Sequence, residues 1–370
     1  FTVVDTHAPL GPALDAAFAR ARLVKNRAWS LPTPAEGRAT TVRAIDPRIV
    51  EVPDEAADEI GAEIVRAAKA AGSVELSASE VFCDYRRVHL VNSNGLDLVR
   101  EETAAYTEYV LLAKGQGSDE LEVYQSRRAR DLKELEIQKQ IDDDVEAARA
   151  GPRAVLPETS MADVVLGGAG TEEIFDAFVA HAAGPAKFDG WSRLQEGEPV
   201  VARADGYDAL TLSSDATIAG GLGTFAFDDV GLPGSRIDVV KDGVFVRRAC
   251  DQRYACWLGV PATGTWGNTV VGAGASSERA LLQRGDRPLY QLLRFSQLSP
   301  HATTGAFSGE IRFGWRVDAD GKRAPIRGGS VSGNVFDAFT RARFSSEIAV
   351  KGRTHGPRSV RFDNVQITGG

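Results

Sequence analysis

The chain has 370 residues and a formal net charge of −8, with 43% hydrophobic and 25% charged residues. That length exceeds one ordinary domain, and the balance is that of a water-soluble globular protein. The acidic surplus argues against a nucleic-acid partner, and no apolar run approaches the roughly 20 residues that cross a bilayer.

The first residues, FTVVDTHAPLGPALDAAF, lack the charged-then-apolar order of a secretory leader. Cys83, Cys250 and Cys256 show no metal-type spacing and read as inert buried thiols. Three cysteines in so long a chain suit a reducing compartment, so a cytoplasmic location is expected.

In chain order, Leu10, Leu14, Phe18 and Leu23 predict a helix over 9–24, and 28–50 reads as irregular. Ile60, Ile64 and Ala68 share one face of a helix over 54–71 that starts with acids, as the helix dipole prefers. Strands follow over 74–92 and 96–114, joined at Asn94-Gly95 by an expected type I′ turn. A strand over 121–128 and a charged helix over 131–150 complete an α+β N-terminal domain, 1–150, bounded at Gly151-Pro152. Beyond it, 171–183 reads as one helix capped by Thr171. Short strands are expected over 200–202 and 209–213, and a hairpin turns at Lys241-Asp242-Gly243 between 237–240 and 244–247. A helix over 278–284 and a strand over 288–298 come next. A long strand over 307–317 turns at Asp318–Lys322 and returns over 324–331. Ser332-Gly333-Asn334 then opens a helix bearing Val335, Phe336 and Phe339. The fold class is α+β: an N-terminal α+β domain and, over 151–370, a curved, mainly antiparallel β domain with flanking helices.

Several patterns hold polar chemistry. Asp228-Asp229 is a carboxylate pair able in principle to hold a metal or act as acid and base. Neighbours on a strand face opposite ways, so a turn before Gly231 is the plainer reading. The run AGGLGTF over 219–225 lacks the strand–loop–helix setting and lysine of a phosphate loop, and no G-x-S-x-G elbow occurs. The loop from Thr263 to Asn268 either contacts substrate backbone or merely turns.

Three blocks in order resemble the TldD/PmbA family over roughly 150–370. The first, TTGAFSGEIRFGWRVDADGKRAPIRGGSVSGNVFDAF, matches it at Thr304, Gly305, Phe307, Ser308, Gly314, Pro325, Ser332, Gly333, Asn334 and Asp337. FAFDDVGLPGSRIDVVKDGVFVRRACDQRYA and GPRSVRFDNVQITGG supply the others. TldD-type subunits of that family carry HExxxH on a helix, two imidazoles for zinc and a glutamate base. Here the histidines are His7, His89, His181, His301 and His355, and no two lie within five residues. The helix that corresponds, 171–183, holds Glu172, Glu173 and His181 but no pair. The resemblance is therefore to the PmbA/TldE-like branch. It implies no catalytic residue, metal or cofactor in this chain, and zinc in a TldD-like HExxxH-bearing partner. The heterodimer would hydrolyse a peptide or amide, such as a maturing modified peptide or natural product. A stand-alone ligand-binding protein or zinc-independent hydrolase of the same fold is the alternative.

Residue roles follow partly from the same resemblance and partly from the residues themselves. His301, Thr303, Thr304 and Gly305 are expected in the substrate cleft, with Asp228 and Asp229 on its wall or at a subunit contact. His181 reads as a hydrogen-bonded structural residue. His355, in KGRTHGPR near where zinc-bearing relatives place a cysteine, is the one metal candidate. Substrate is expected to lie along strand 307–317, where Gly305, Gly309 and Gly314 would let a backbone approach, unless they serve sheet curvature. Apolar segments 289–298 and 335–339 are expected to mediate oligomerisation.

Overall fold

The computed structural model describes residues 9–25, 27–114, 120–168 and 170–369, so His7 lies outside it. Helices α1 (Leu10–Leu23) and α2 (Pro47–Glu51) precede α3 (Pro53–Ala71), which ends on Gly72 at φ 66°. Glycine takes that left-handed cap without a Cβ clash. Strands β1 (Glu75–Val91), β2 (Asp97–Lys114) and β3 (Glu120–Ala129) form an antiparallel sheet in that order. The β1–β2 loop departs from the expected I′ turn. Gly95 alone has positive φ, and the Asn92 carboxamide oxygen accepts from the N–H groups of Asn94 and Leu96. That side-chain turn replaces a second left-handed residue. The expected helix over 131–150 starts late, because Glu136 at φ 47° separates a 3₁₀ turn, Leu132–Leu135, from α4 (Ile137–Ala150). Ile60 and Ile64 of α3, Ile141 and Val145 of α4 and Tyr109 and Leu111 of β2 make one core. Helix α1, by contrast, buries none of its residues.

The chain continues through β4 (Ser160–Leu166), α5 (Gly170–Glu173), α6 (Asp176–Ala182), α7 (Gly184–Phe188), β5 (Leu212–Asp215), β6 (Arg236–Lys241), β7 (Val244–Phe245), α8 (Gln252–Leu258) and β8 (Asn268–Val271). Then come α9 (Glu278–Leu281), β9 (Leu289–Leu298), β10 (Ala306–Val317), β11 (Arg323–Ile326), β12 (Ser330–Asn334) and α10 (Val335–Ala338). β13 (Ala342–Phe344), β14 (Ile348–Lys351), β15 (Thr354–Pro357) and β16 (Val360–Thr368) finish the described chain. Strands β10, β12, β16, β4 and β9 pair in turn, and β9 pairs back onto β10, so the curved sheet closes on itself. β4 and β9 run parallel; the other pairs of this ring are antiparallel. A second sheet runs β14-β15-β8-β5-β6-β7. The expected hairpin at 241–243 forms as a two-residue turn, with Asp242 at φ 49° and Gly243 at φ 82°. The segment 200–202 is not a strand; only Pro199 bridges to Val244. The return expected over 324–331 is split into β11 and β12 by Gly328 and Gly329, both at positive φ.

Both edges of β10 are occupied, by β9 on one side and by β11 and β12 on the other, which leaves no open edge along 309–317 for an added peptide strand. A Cβ at Gly309 or Gly314 would meet the β9 carbonyls of Gln297 or Gln291, so these glycines serve strand approach within the sheet. Leu289, Tyr290, Leu292, Val335, Phe336 and Phe339 are interior and offer no oligomer surface. Of the three thiols, Cys250 is buried, Cys83 half-buried and Cys256 exposed.

The two cores are locked together by polar contacts. Arg130, 4% exposed, donates to the carbonyls of Ala44, Thr103, Gly221, Leu222 and Thr224 at 2.8–3.1 Å. Arg294 of β9 pairs with the buried Asp144 of α4, whose other oxygen accepts from Tyr109 at 2.6 Å. Ala147 and Ala150 pack on Phe313 and Trp315. Replacing Arg130 with Ala removes a donor from all five carbonyls, of which those of Ala44 and Gly221 keep a backbone N–H, from Thr103 and Thr224. It is expected to cost about 3–5 kcal/mol in denaturant unfolding, whereas Arg48→Ala at the surface leaves the midpoint in place.

Candidate active cleft

A cleft of about 500 Å³ opens where the first sheet meets the second half of the chain. Its floor is the outward face of the sheet: Asp84 and Arg86 of β1, Glu102 and Ala104 of β2, and Arg128 of β3. Strand alternation puts these side chains on one face, opposite the face covered by α3 and α4. The facing wall is Glu172 of α5, Leu222, and Gly352-Arg353 in the β14–β15 turn.

Glu172 is the chemically distinctive group. The expected single helix over 171–183 breaks at Ile174-Phe175 into α5 and α6. Thr171 therefore does not cap it; its hydroxyl donates to Gly168 O at 3.0 Å and accepts from Lys351 Nζ at 2.7 Å. The break brings Glu172, Glu173 and Asp176 close together. Burial pushes Glu172 up to about 7 and Asp176 up to about 6, each raised further by its acidic neighbours. Burial also raises Glu173, which accepts from Ser299 Oγ at 3.3 Å. Lys351, lowered to about 8 by burial, is spent on Gly168 O, Thr171 and Arg358 O. Gly352, at φ 54°, lies so near the Glu172 carboxylate that a Cβ there would collide with it. A second, larger cleft of about 660 Å³ near Leu232, Arg236 and Cys256 has one carboxylate in its lining, Glu36, which the Thr33 N–H and hydroxyl hold below its ordinary value. A buried carboxylate with a raised pKa in the lining of a cleft marks a candidate functional site, and only the first cleft has one, Glu172.

The residues singled out from sequence lie elsewhere; none of His301, Thr303, Thr304, Gly305, Asp228, Asp229 and His355 lines either cleft. Asp228 is buried, and its carboxylate accepts from the N–H groups of Val230, Gly231, Leu232 and Thr265. Asp229 points outward to Arg100 at 3.2 Å, so the two acids share no site. His301 closes a tight loop: its N–H donates to Ala306 O, its carbonyl accepts from Gly305, and Nδ1 accepts from Thr304 N–H at 3.3 Å. Thr303 O accepts from His181 Nε2–H at 3.1 Å, while His181 Nδ1 accepts from Arg193 N–H at 3.0 Å. His181 is thus a neutral structural histidine, its pKa lowered by burial. His355 sits between β14 and β8 with Nε2 buried and without a partner. Among the described residues, no three His, Cys, Asp or Glu side chains gather to hold a metal. The run over 219–225 packs on Gly267-Asn268 and turns three carbonyls to Arg130, which explains its glycines without a nucleotide. Glu172 carried one faint sequence signal, the paired acids at the head of a helix; Arg353 carried none.

The sequence profile of the PmbA/TldA metallopeptidase C-terminal domain matches residues 159–369. No curated protein matches the chain. Among solved structures it is similar to TldE from Thermococcus kodakarensis, with a TM-score of 0.80 and 19% identity, covering 100% of this chain and 87% of that one. It is also similar to a protein described as a candidate modulator of DNA gyrase from Bacteroides thetaiotaomicron (TM-score 0.81, 18% identity, 97% and 82% covered). A third, similarly described, comes from Thermotoga maritima (0.81, 16%, 96% and 83%). At these identities the likeness is one of fold.

Two outcomes follow. An acid whose folded pKa is raised contributes stability below its unfolded pKa and loses it as pH climbs to the folded one. Stability is therefore expected to fall between about pH 4.5 and 7 through Glu172. Glu172→Gln should raise the thermal midpoint at pH 8 and flatten its change with pH. Gly305, at φ 74° with Phe336 against its Cα, is required by the turn itself. Gly305→Val should lower stability by about 2 kcal/mol or more, and Gly305→Asn by less.

Proposed function

Because the chain belongs to the PmbA/TldD family through its metallopeptidase C-terminal domain, we propose that it is the zinc-less subunit of a heteromeric peptidase. Its cleft wall shapes the substrate chamber, and a HExxxH-bearing relative supplies zinc. The observation that carries this is the helix pair α5–α6. It offers three carboxylates and one histidine, and both nitrogens of His181 are already bonded. Zinc does not fit these residues, and no hydrolytic step is assigned to this chain. Its substrate would be an extended peptide or another amide. The free thiols agree with a reducing, cytoplasmic setting, and no helix of the described residues is long and apolar enough to cross a membrane.

The chain should be purified alone and after co-expression with a HExxxH-bearing relative. Alone it is expected to hold no stoichiometric zinc and to cleave no unstructured peptide; the complex is expected to do both. Tightly held zinc in the isolated chain, or chelator-resistant hydrolysis by it, would favour the stand-alone hydrolase instead.

A further inference from the structure

We propose that the cleft at Glu172 and the sheet face leading from it bind the C-terminal end of an extended peptide, with the free carboxylate held by Arg353. This rests on the peptidase reading for its substrate class, but not on the partner.

The first observation is the set of charges in the cleft. Arg86 and Arg128 reach only loosely to Glu102 at 3.5 Å and Asp84 at 3.8 Å. Arg130 lies beneath, 4.0 Å from Glu102, its donors spent on backbone carbonyls. Arg353 is exposed, its guanidinium makes no ion pair among the described residues, and it lines the cleft. A guanidinium presents paired donors that fit a carboxylate in bidentate fashion. Four arginines against three acids leave a surplus for an anion, and the surplus grows when Glu172 is protonated.

The second observation is the surface that continues from this point. Asp84, Ala104 and Arg128 line the cleft, so Phe82, Tyr106 and Tyr124, an even number of residues away on the same strands, stand on the same face. The rings of Phe82 and Tyr106 are 6.1 Å apart, and the Tyr106 and Tyr124 hydroxyls are 3.5 Å apart. Phe82 and Tyr124 are each about half exposed, at 51% and 52%. A small anion would leave this aromatic row unused. A peptide that ends in the cleft would lay its preceding side chains across it.

Glu172 gives the site a pH response. It is faced by Glu173 and Asp176 on its own segment, by Lys351 and Arg353 on the β14–β15 turn, and by the sheet residues already named. Lys351 is bound to backbone and Thr171 and stays protonated below about pH 8. Protonated, Glu172 donates a hydrogen bond to the incoming carboxylate; ionised, it repels it.

The test uses the full chain without any partner, and a dye-labelled hexapeptide of alternating alanine and phenylalanine. The peptide is made both as the free acid and as the C-terminal amide. At pH 6 the acid should bind about tenfold more tightly than the amide, the worth of one charge-assisted contact. Arg353→Ala should erase that preference, and Tyr124→Ala should weaken both forms alike. Affinity for the acid should decline from pH 6 to 8, and Glu172→Gln should hold it level. Equal binding of acid and amide, no binding of either, or an unchanged preference in Arg353→Ala overturns the proposal. So does burial of Phe82 and Tyr124 by a partner subunit without peptide binding. Zinc in the isolated chain would defeat the subunit reading while leaving the acid-over-amide comparison intact.

Discussion

One guanidinium holds the two halves of the molecule in register. Arg130 follows β3, yet its hydrogen bonds go to the segment at Ala44, to β2 at Thr103, and to the glycine-rich run at Gly221, Leu222 and Thr224. Burial disfavours its charged form. An arginine cannot shed its proton at ordinary pH, so it must be satisfied where it stands. Only a few carbonyls arranged in a fan can do that, and the glycines of 219–225 let the backbone fold tightly enough to form one. Glu102 on the floor of the cleft, 4.0 Å from Arg130, and Leu222 on its facing wall both touch this guanidinium. The Arg294–Asp144 pair and the packing of Ala147 and Ala150 on Phe313 and Trp315 fix the same joint from the other side.

The long elements were readable because each satisfies a local rule. The apolar stripe of α3 and the lengths of β1, β2 and β10 follow from side-chain period. Asp242-Gly243 turns as its residue types require. What escaped was set by contacts distant in sequence. The division of 170–182 into two short helices reflects the calls on Thr171 and Glu172 from Lys351 and the β14–β15 turn, which no local pattern announces. Closure of β9 onto β10 is a pairing choice invisible to periodicity. Asn92 outcompeted Asn94-Gly95 for control of the first hairpin because its carboxamide can reach two N–H groups at once.

The candidate site was less legible than the fold, for a related reason. The residues that looked chemical, Asp228 and His301, had donors and acceptors that a folding chain could use, and it used them, as it did those of His181, which reads from the sequence as structural. Asp228 holds a loop through four N–H groups. His181 ties α6 to the Thr303 carbonyl. Family likeness pointed to helix 171–183, where Glu172 lies, but most of the cleft lining comes from β1, β2, β3 and Arg130, and the most recognisable block, 304–337, lines neither cleft. Glu172 and Arg353 stand out only once the structure shows Glu172 buried beside other acids, with the Arg353 backbone N–H as its hydrogen bond, and the Arg353 guanidinium without an ion pair among the described residues.

Closure of the barrel also bears on how the protein is made. β4 is an early strand of the second half, but one of its neighbours is β16, with Ser160 paired to Ile367. During synthesis β4 leaves the ribosome long before either β9 or β16 exists to cover it. Its apolar run, Val164-Val165-Leu166, must wait through most of the remaining chain with its backbone unpaired. Such distant pairing slows folding and exposes strand edges to other chains meanwhile. The first sheet with α3 and α4 draws its pairings from neighbouring sequence and can form while the rest is still being translated. Nascent chains are therefore most vulnerable to aggregation in the interval after β4 emerges and before β16 does, and a chaperone would be needed most in that interval.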